Sequence, residues 1–334
     1  MSTQSIRSAI FIHSSFRTSS TWIWSKFRAN PTIVAYYEYF HERLCSISVN
    51  DVEALRPSAW ASGHPDVEPY FTEYLPLLRR QGGVSGYQER MAVGQFFPVG
   101  GYRGRLSKAE VAYIGLLIAN AGRLKRTPFF CCKRSLGRVR ALKQGIGGVH
   151  FVLRRKLLHQ WQSYFRQAEG GNSYFFEMIL RVIAVNGHEP YMAILGKFIR
   201  ERTGYKNGLQ FDQLDQDDLF IVFVAFHFYL YVVTLADADL VINTSELVND
   251  QYRRAVEYSV TELTGLGIDL SDARAPSDCP GSLPRNDERM RMEVARLCMR
   301  GLEEADKSIL QAQSCWQLVD ELWADLTLSS NGLR

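Results

Sequence analysis

The sequence predicts an α/β fold: a mostly parallel central sheet flanked by helices, with a helical C-terminal part. Three observations predict it. Short β-branched and aromatic runs alternate with stretches of helical spacing. That alternation belongs to parallel sheets covered on both faces. The first apolar run, Ile10-Phe11-Ile12-His13, ends in a small polar turn holding one arginine, and helical spacing starts directly after it.

The elements follow in order. Ser8–His13 reads as a strand, Ser20–Arg28 as its helix and Thr32–Tyr37 as a second strand. Residues 57–105 are rich in Gly, Pro and aromatics and read as an irregular, substrate-facing insertion. Ser107–Lys125 reads as a helix, with Ser107 and Glu110 spaced as a capping box. Pro128–Cys132 and Gly148–Leu153 read as strands, each followed by a helix, over Leu136–Gln144 and Leu157–Gln167. Two long helices over Tyr174–Arg202 and Asp217–Leu235 come next, then a short strand Leu240–Asn243 and a helix Leu247–Leu263. Asp272–Pro284 contains three prolines and reads as a surface loop. The tail, at about 287–326, reads as helical, with an apolar face through Met292, Ala295, Leu297 and Leu302. With no internal repeat or composition break, residues 1–334 read as a single domain.

Apolar residues make up 46% and charged residues 22% of the 334, an ordinary globular composition, and the formal charge is +4. That mild basicity fits an anionic ligand. Without a polybasic tail, nucleic acid is not an expected partner. The six cysteines form no C-x-x-C pair and read as reduced thiols. Together with an apolar run, Ala9–Ile12, too short for a signal peptide, they suggest a cytoplasmic protein. Leu219–Leu235 approaches membrane-span length, but flanking aspartates and no Lys/Arg cluster favour a buried helix over a stable span. Its aromatics, Phe220, Phe223, Phe226, Phe228 and Tyr229, read as core packing.

Two segments carry chemistry. A strand stopping at the turn 14–20 aims backbone N–H groups and a helix N-terminus at one point, which attracts an anion, usually phosphate. Arg17 sits in that turn. Further on, Arg155 ends a strand and Ser163 follows eight residues later on the next helix, so a guanidinium fork and a hydroxyl can converge on a second phosphate. Each has a plain alternative: a surface turn arginine for Arg17, a solvated helix start for Arg155, and an ordinary helix serine for Ser163. Arg154 takes the role if the strand ends one residue earlier. Arg134 and Arg138 read as one solvated helix face. The turn lacks G-x-x-x-x-G-K-[ST], which argues against an ordinary nucleotide-triphosphate loop and a kinase-like phosphotransferase.

Phe16-Arg17-Thr18-Ser19-Ser20-Thr21-Trp22 resembles the 5′-phosphosulfate loop of sulfotransferases that use 3′-phosphoadenosine 5′-phosphosulfate (PAPS). Arg17 falls on the basic position, and Thr18, Ser20 and Thr21 on hydroxyl positions. Phe16 replaces the usual proline and Ser19 the usual glycine. Arg154-Arg155 through Gln160 and Ser163 resembles the 3′-phosphate element of the same family. Phe129–Leu136 resembles the strand end between these elements, with Lys133 matching and Ser135 where many members carry a basic histidine. Other members place a glutamate after the second strand, and Tyr36-Tyr37-Glu38-Tyr39-Phe40-His41 fits that arrangement.

The resemblance implies a P-loop-like architecture and transfer of a sulfonate group from PAPS to a hydroxyl or amine of a carbohydrate, lipid or other metabolite, leaving adenosine 3′,5′-bisphosphate. It implies cofactor contacts from Ser15, Arg17, Thr18, Ser19, Ser20, Thr21, Arg155 and Ser163. Arg17 and Lys133 would stabilise the leaving phosphate, and Glu38 would be the base, with His41 the second candidate. For Lys133, Glu38 and His41 the plain readings are a surface lysine, a surface carboxylate and a packed histidine. No metal is implied, and no His/Cys/Asp cluster has ligand spacing. A non-catalytic nucleotide-binding protein of the same fold is the alternative, since Phe16 and Ser19 depart from the pattern.

Overall fold

The structure, a computed structural model, describes residues 9–55, 69–204, 214–275, 288–305 and 324. Five parallel strands form its sheet: β1 (Ile10–His13), β2 (Ile33–Tyr37), β3 (Thr127–Cys132), β4 (Val149–Arg154) and β5 (Leu240–Asn243). Their order is β2-β3-β1-β4-β5. Strand β1 is central and buried along its whole length, as expected for a parallel strand covered on both faces. The chain leaves β1 toward β2 and leaves β4 toward β5, so the crossovers diverge between β1 and β4. Such a switch point opens a crevice beyond the strand C-termini, where open α/β sheets bind ligands.

The helices are α1 (Ser20–Arg28), α2 (Val49–Ala54), α3 (Lys108–Arg123), α4 (Val139–Gly145), α5 (Leu157–Glu169), α6 (Tyr174–Val185), α7 (Pro190–Thr203), α8 (Gln216–Thr234), α9 (Asp250–Thr264) and α10 (Glu288–Ala305). Helix α3 begins with the capping box expected of Ser107 and Glu110. Helix α2, absent from the sequence reading, starts with a second capping box, Ser48 and Asp51. The single long helix expected over 174–202 is two. Asn186 through Glu189 interrupt it, and Pro190, which has no N–H to lose at a helix start, opens α7. The Asn186 amide bonds Phe97 N–H and Val93 O, so the interruption seats the 93–97 segment.

Two apolar cores surround the sheet. One gathers β1–β3 with α1, α3 and α9; the other gathers α5–α8 and α10. Helix α8 is buried from Leu219 through Thr234, including the aromatics expected in the core. It is apolar and long enough to cross a membrane, but here it lies inside the protein. Helix α10 packs on α7 and α8. Its buried face runs through Met290, Val294, Leu297, Cys298 and Leu302; Met292, expected on that face, points out. The rest of the tail and of the Asp272–Pro284 loop lies outside the described residues. In the 57–105 segment, the described part (69–105) is built from short 3-10 helices and two isolated antiparallel bridges, Leu78–Val84 and Val99–Arg105. Cys45, Cys131, Cys132 and Cys298 are free thiols; Cys279 and Cys315 lie outside the described residues.

Candidate anion-binding site

A cleft of about 680 Å³ opens at the C-terminal edge of the sheet. From the turn after β1, Phe16, Arg17 and Ser19 line it. Ser14 N–H still bonds Cys132 O at 3.1 Å, so the sheet holds the chain at the point where it turns. Three contacts then staple the turn. Thr18 Oγ1 donates to Ser15 O at 2.8 Å. Gln160 Nε2, from α5, donates to Phe16 O at 2.8 Å. Ser15 Oγ donates to His227 Nε2 at 2.7 Å, because the other ring nitrogen is occupied as a donor to Phe223 O. Burial holds the His227 pKa down at about 3, which keeps Nε2 a bare acceptor. The hydroxyls of Ser15 and Thr18 are therefore turned into the protein, where they shape the turn.

Among the described residues, four non-glycine residues have positive φ, and three of them, Arg17, Ser19 and Glu38, line the cleft. At Ser19 φ is +59°, a conformation that favours glycine. Ser19 takes it as the N-cap of α1, and its side chain makes no capping bond. The first-turn N–H groups of α1 thus face the cleft with the positive end of the helix dipole. The Ser20 hydroxyl is buried, has no hydrogen-bond partner among the described residues and borders the same space. Thr21 Oγ1 pairs with the Tyr37 hydroxyl at 2.7 Å.

Arg17, Ser163 and Arg155 come together. Arg17 Nε donates to Ser163 Oγ at 2.8 Å, and Arg155 Nη1 donates to Arg17 O at 2.9 Å. Strand β4 ends at Arg154, which leaves Arg155, not Arg154, lining the cleft. Neither Arg17 nor Arg155 meets a carboxylate among the described residues. Burial, with the neighbouring charges of Arg17 and Arg166, pushes the Arg155 pKa down to about 10. Burial and Arg166 lower that of Arg17 as well, despite the nearby Tyr164. Arg166, which the sequence reading passed over, lines the cleft from α5. Its signal was present: it lies three residues after Ser163, on the same helix face.

The opposite end differs. Glu38, 2% exposed, is gripped by two cations. Lys133 N–H and Nζ reach Oε1 at 3.0 and 3.2 Å, and Arg134 Nη1 donates to Oε2. Lys133 Nζ also donates to the Tyr37 hydroxyl and lies 4.4 Å from that ring's centroid. Burial works against the Lys133 charge, yet Glu38 and Tyr37 hold its pKa above the ordinary lysine value. Arg134 continues the network to Glu42 and to the Tyr174 hydroxyl at the start of α6. His41 caps the 3-10 turn 42–45, its Nδ1 accepting Arg43 N–H at 3.1 Å. Its pKa is driven well below 6.5 by burial and by the charges of Arg134, Lys133 and Arg43.

Arg134 and Arg138 are not a solvated face: they are 1% and 0% exposed. Arg138 pairs with Glu110, donates to Met91 O and Ala92 O, and lies 3.8 Å above the Phe40 ring. Ser135 is also buried and bonds His13 Nδ1 at 2.8 Å, while His13 Nε2 and His150 Nδ1 are 3.0 Å apart. Tyr70 and Phe71, from the segment expected to face a substrate, line the cleft near His41.

No family model, curated protein or solved structure matches this chain.

Proposed function

We propose that this cleft binds PAPS and that the protein transfers its sulfonate group to an acceptor hydroxyl or amine. The convergence of Arg17, Arg155 and Ser163 beside the α1 N-terminus carries the reading. Two half-buried guanidiniums without carboxylates are costly to keep, and an anion of at least two charges supplies what they lack. In this reading a nucleotide lies in the β1–β4 crevice with one phosphate over the α1 N–H groups and the Ser20 hydroxyl and another at Arg155, Ser163 and Arg166.

In such a transfer the acceptor oxygen or nitrogen bonds to sulfur as the bond from sulfur to the 5′-phosphate oxygen breaks. Negative charge builds on the departing phosphate. The first-turn N–H groups are preorganised donors for it and Lys133 is a mobile one, and charge stabilisation of this kind is the main lever in related phosphoryl transfers. Among the described residues Glu38 is the one carboxylate lining the cleft, and it is the proposed base for the acceptor proton. Both its oxygens are engaged, so Lys133 must turn toward the leaving phosphate before Oε1 can accept. His41 is less suited: Nδ1 is bonded to Arg43 N–H, which leaves Nε2 carrying the ring proton.

The engaged Glu38 oxygens favour a second reading, a nucleotide-binding protein without turnover. One experiment separates the two. Adenosine 3′,5′-bisphosphate should raise the melting temperature more than ATP under either reading. Release of radiolabelled sulfonate to a panel of carbohydrates, phenols and lipids should follow only under the first. Equal stabilisation by ATP would count against both.

A further inference from the structure

The cleft is long in the direction of the sheet order. Strand β2 stands three positions from β4, about 14 Å at the usual interstrand spacing. The loop after β2 therefore lies well away from Arg155 and Ser163, with Lys133 between them. This far end is lined by Leu55, Tyr70, Phe71, His41 and Arg43. Tyr70 stacks on Tyr37 with ring centroids 4.9 Å apart, and Phe71 meets His41 edge-on at 6.0 Å. Together they make a flat apolar wall beside the polar groups.

Those polar groups are all donors. His41 Nδ1 is taken by the Arg43 amide, so Nε2 presents its proton. The Arg43 guanidinium is exposed and meets no carboxylate among the described residues. Both nearby carboxylates are already engaged, Glu38 by Lys133 and Arg134, and Glu42 by Arg134, with Glu42 Oε2 also 3.5 Å from His41 Nδ1, on the side of the ring away from Nε2. A neutral hydroxylated ring would leave these donors to water. A ring carrying its own oxyanion would meet both, and an arginine fork matches carboxylate or sulfate geometry.

We propose that the β2 end of the cleft holds an acceptor with a six-membered ring bearing a carboxylate or sulfate, with one face of the ring against Tyr70 and Phe71 and the oxyanion on Arg43 and His41 Nε2–H. The proposal rests on the sulfonate-transfer reading for calling this ligand the acceptor. The positive field that keeps His41 neutral is the same field that favours the anion: Arg134, Lys133 and Arg43 all push its pKa down after burial does.

Calorimetry on the full chain tests it with matched probes. 4-Hydroxyphenylacetate is compared with 4-hydroxyphenylacetamide, and methyl glucuronide with methyl glucoside, with and without adenosine 3′,5′-bisphosphate. In at least one pair the carboxylate should bind about tenfold or more tightly than its neutral partner, the scale of one charge-assisted hydrogen bond. Which pair shows it identifies an aryl or a sugar ring. Arg43→Gln should bring the two members of that pair within about twofold, and Arg43→Glu should reverse the preference. Arg43 is exposed, so both variants should melt like the wild type. Equal binding within both pairs, or a preference that survives Arg43→Gln, overturns the proposal. Failure of the nucleotide reading looks different. The bisphosphate would not bind, while the carboxylate preference and its dependence on Arg43 could still be measured.

Discussion

Basic side chains line both ends of the cleft, and burial treats the ends in opposite ways. At the β2–β3 end, Lys133 and Arg134 lose water but gain Glu38, Tyr37, Tyr174 and Glu42, and their pKa values rise. At the β1–β4 end, Arg17 and Arg155 lose water and meet no carboxylate among the described residues; Tyr164 and Tyr231 offset only part of the loss, Arg166 adds repulsion, and the pKa values fall. One set of charges is complete within the chain. The other is complete only with something added. That difference, more than the count of basic residues, marks the β1–β4 end as the one whose buried charges call for an added anion; at the other end it is the exposed Arg43 that meets no carboxylate among the described residues.

The sharpest way to break the comparison is at its completed end. Glu38→Gln leaves Arg134 buried with only Glu42 as a carboxylate partner. It should destabilise the fold by about 3–5 kcal/mol, the usual scale for removing one member of a buried ion pair. Urea unfolding reads this directly, and a change under 1 kcal/mol would show that Glu38 is not holding the network. Loss of turnover in that variant is therefore informative only at temperatures where it remains folded.

The same rule covers the histidines beneath the loop. Burial lowers the pKa of His13 well below 6.5, helped by His150 and Arg138, and takes His150 to about 4 and His227 to about 3. Between those values and 6.5 the unfolded chain binds protons that the folded chain refuses. Stability is thus full above pH 6.5 and declines on acidification, by about 1 kcal/mol per histidine per pH unit. Urea midpoints at about pH 7.5 and about pH 5.5 should differ accordingly, and His227→Gln should flatten the slope. A flat profile between these values would mean the histidines are not held neutral.

At the incomplete end, Arg155→Ala should weaken adenosine 3′,5′-bisphosphate by about 1.5–3 kcal/mol. It should weaken adenosine 5′-monophosphate much less. The ligand-free protein should be no less stable, since a repelling charge has been removed. A stability loss as large as that of Glu38→Gln would erase the contrast between the two ends. The smallest expected effect is at Ser19. Relief of its left-handed backbone in Ser19→Gly should stabilise the fold by up to about 1 kcal/mol, offset in part by the added freedom of the unfolded chain. Thermal unfolding that shows a loss would indicate that the serine side chain contributes a contact of its own.

Much of this was legible in local pattern. Each strand lies within one or two residues of its expected place, because short β-branched runs between helical stretches have few other uses. The Ser107–Glu110 capping box is written in neighbouring residues and formed as read. The turn at Arg17 and the Arg155–Ser163 spacing were visible for the same reason. The helix over 174–202 was misread although Asn186-Gly187 and Pro190 mark a break in the local sequence; what the break does, seating Val93 and Phe97, was not legible, because those residues are far away in the chain. Arg134 and Arg138 were misread because nothing beside them in the chain shows that Glu38, Glu42 and Glu110 will arrive to neutralise them.

By itself, the sequence determined the α/β class, the alternation of strands and helices, and the position of the polar turn after β1, since each depends on backbone propensity and on residues a few positions apart. Only the tertiary structure decided which charges are satisfied. Arginines that look alike in the chain become a buried strut at Arg138, a clamped partner at Arg134 and an uncompensated cation at Arg155. The energy of a buried charge depends on the partners that folding brings to it, and those partners are distant in sequence.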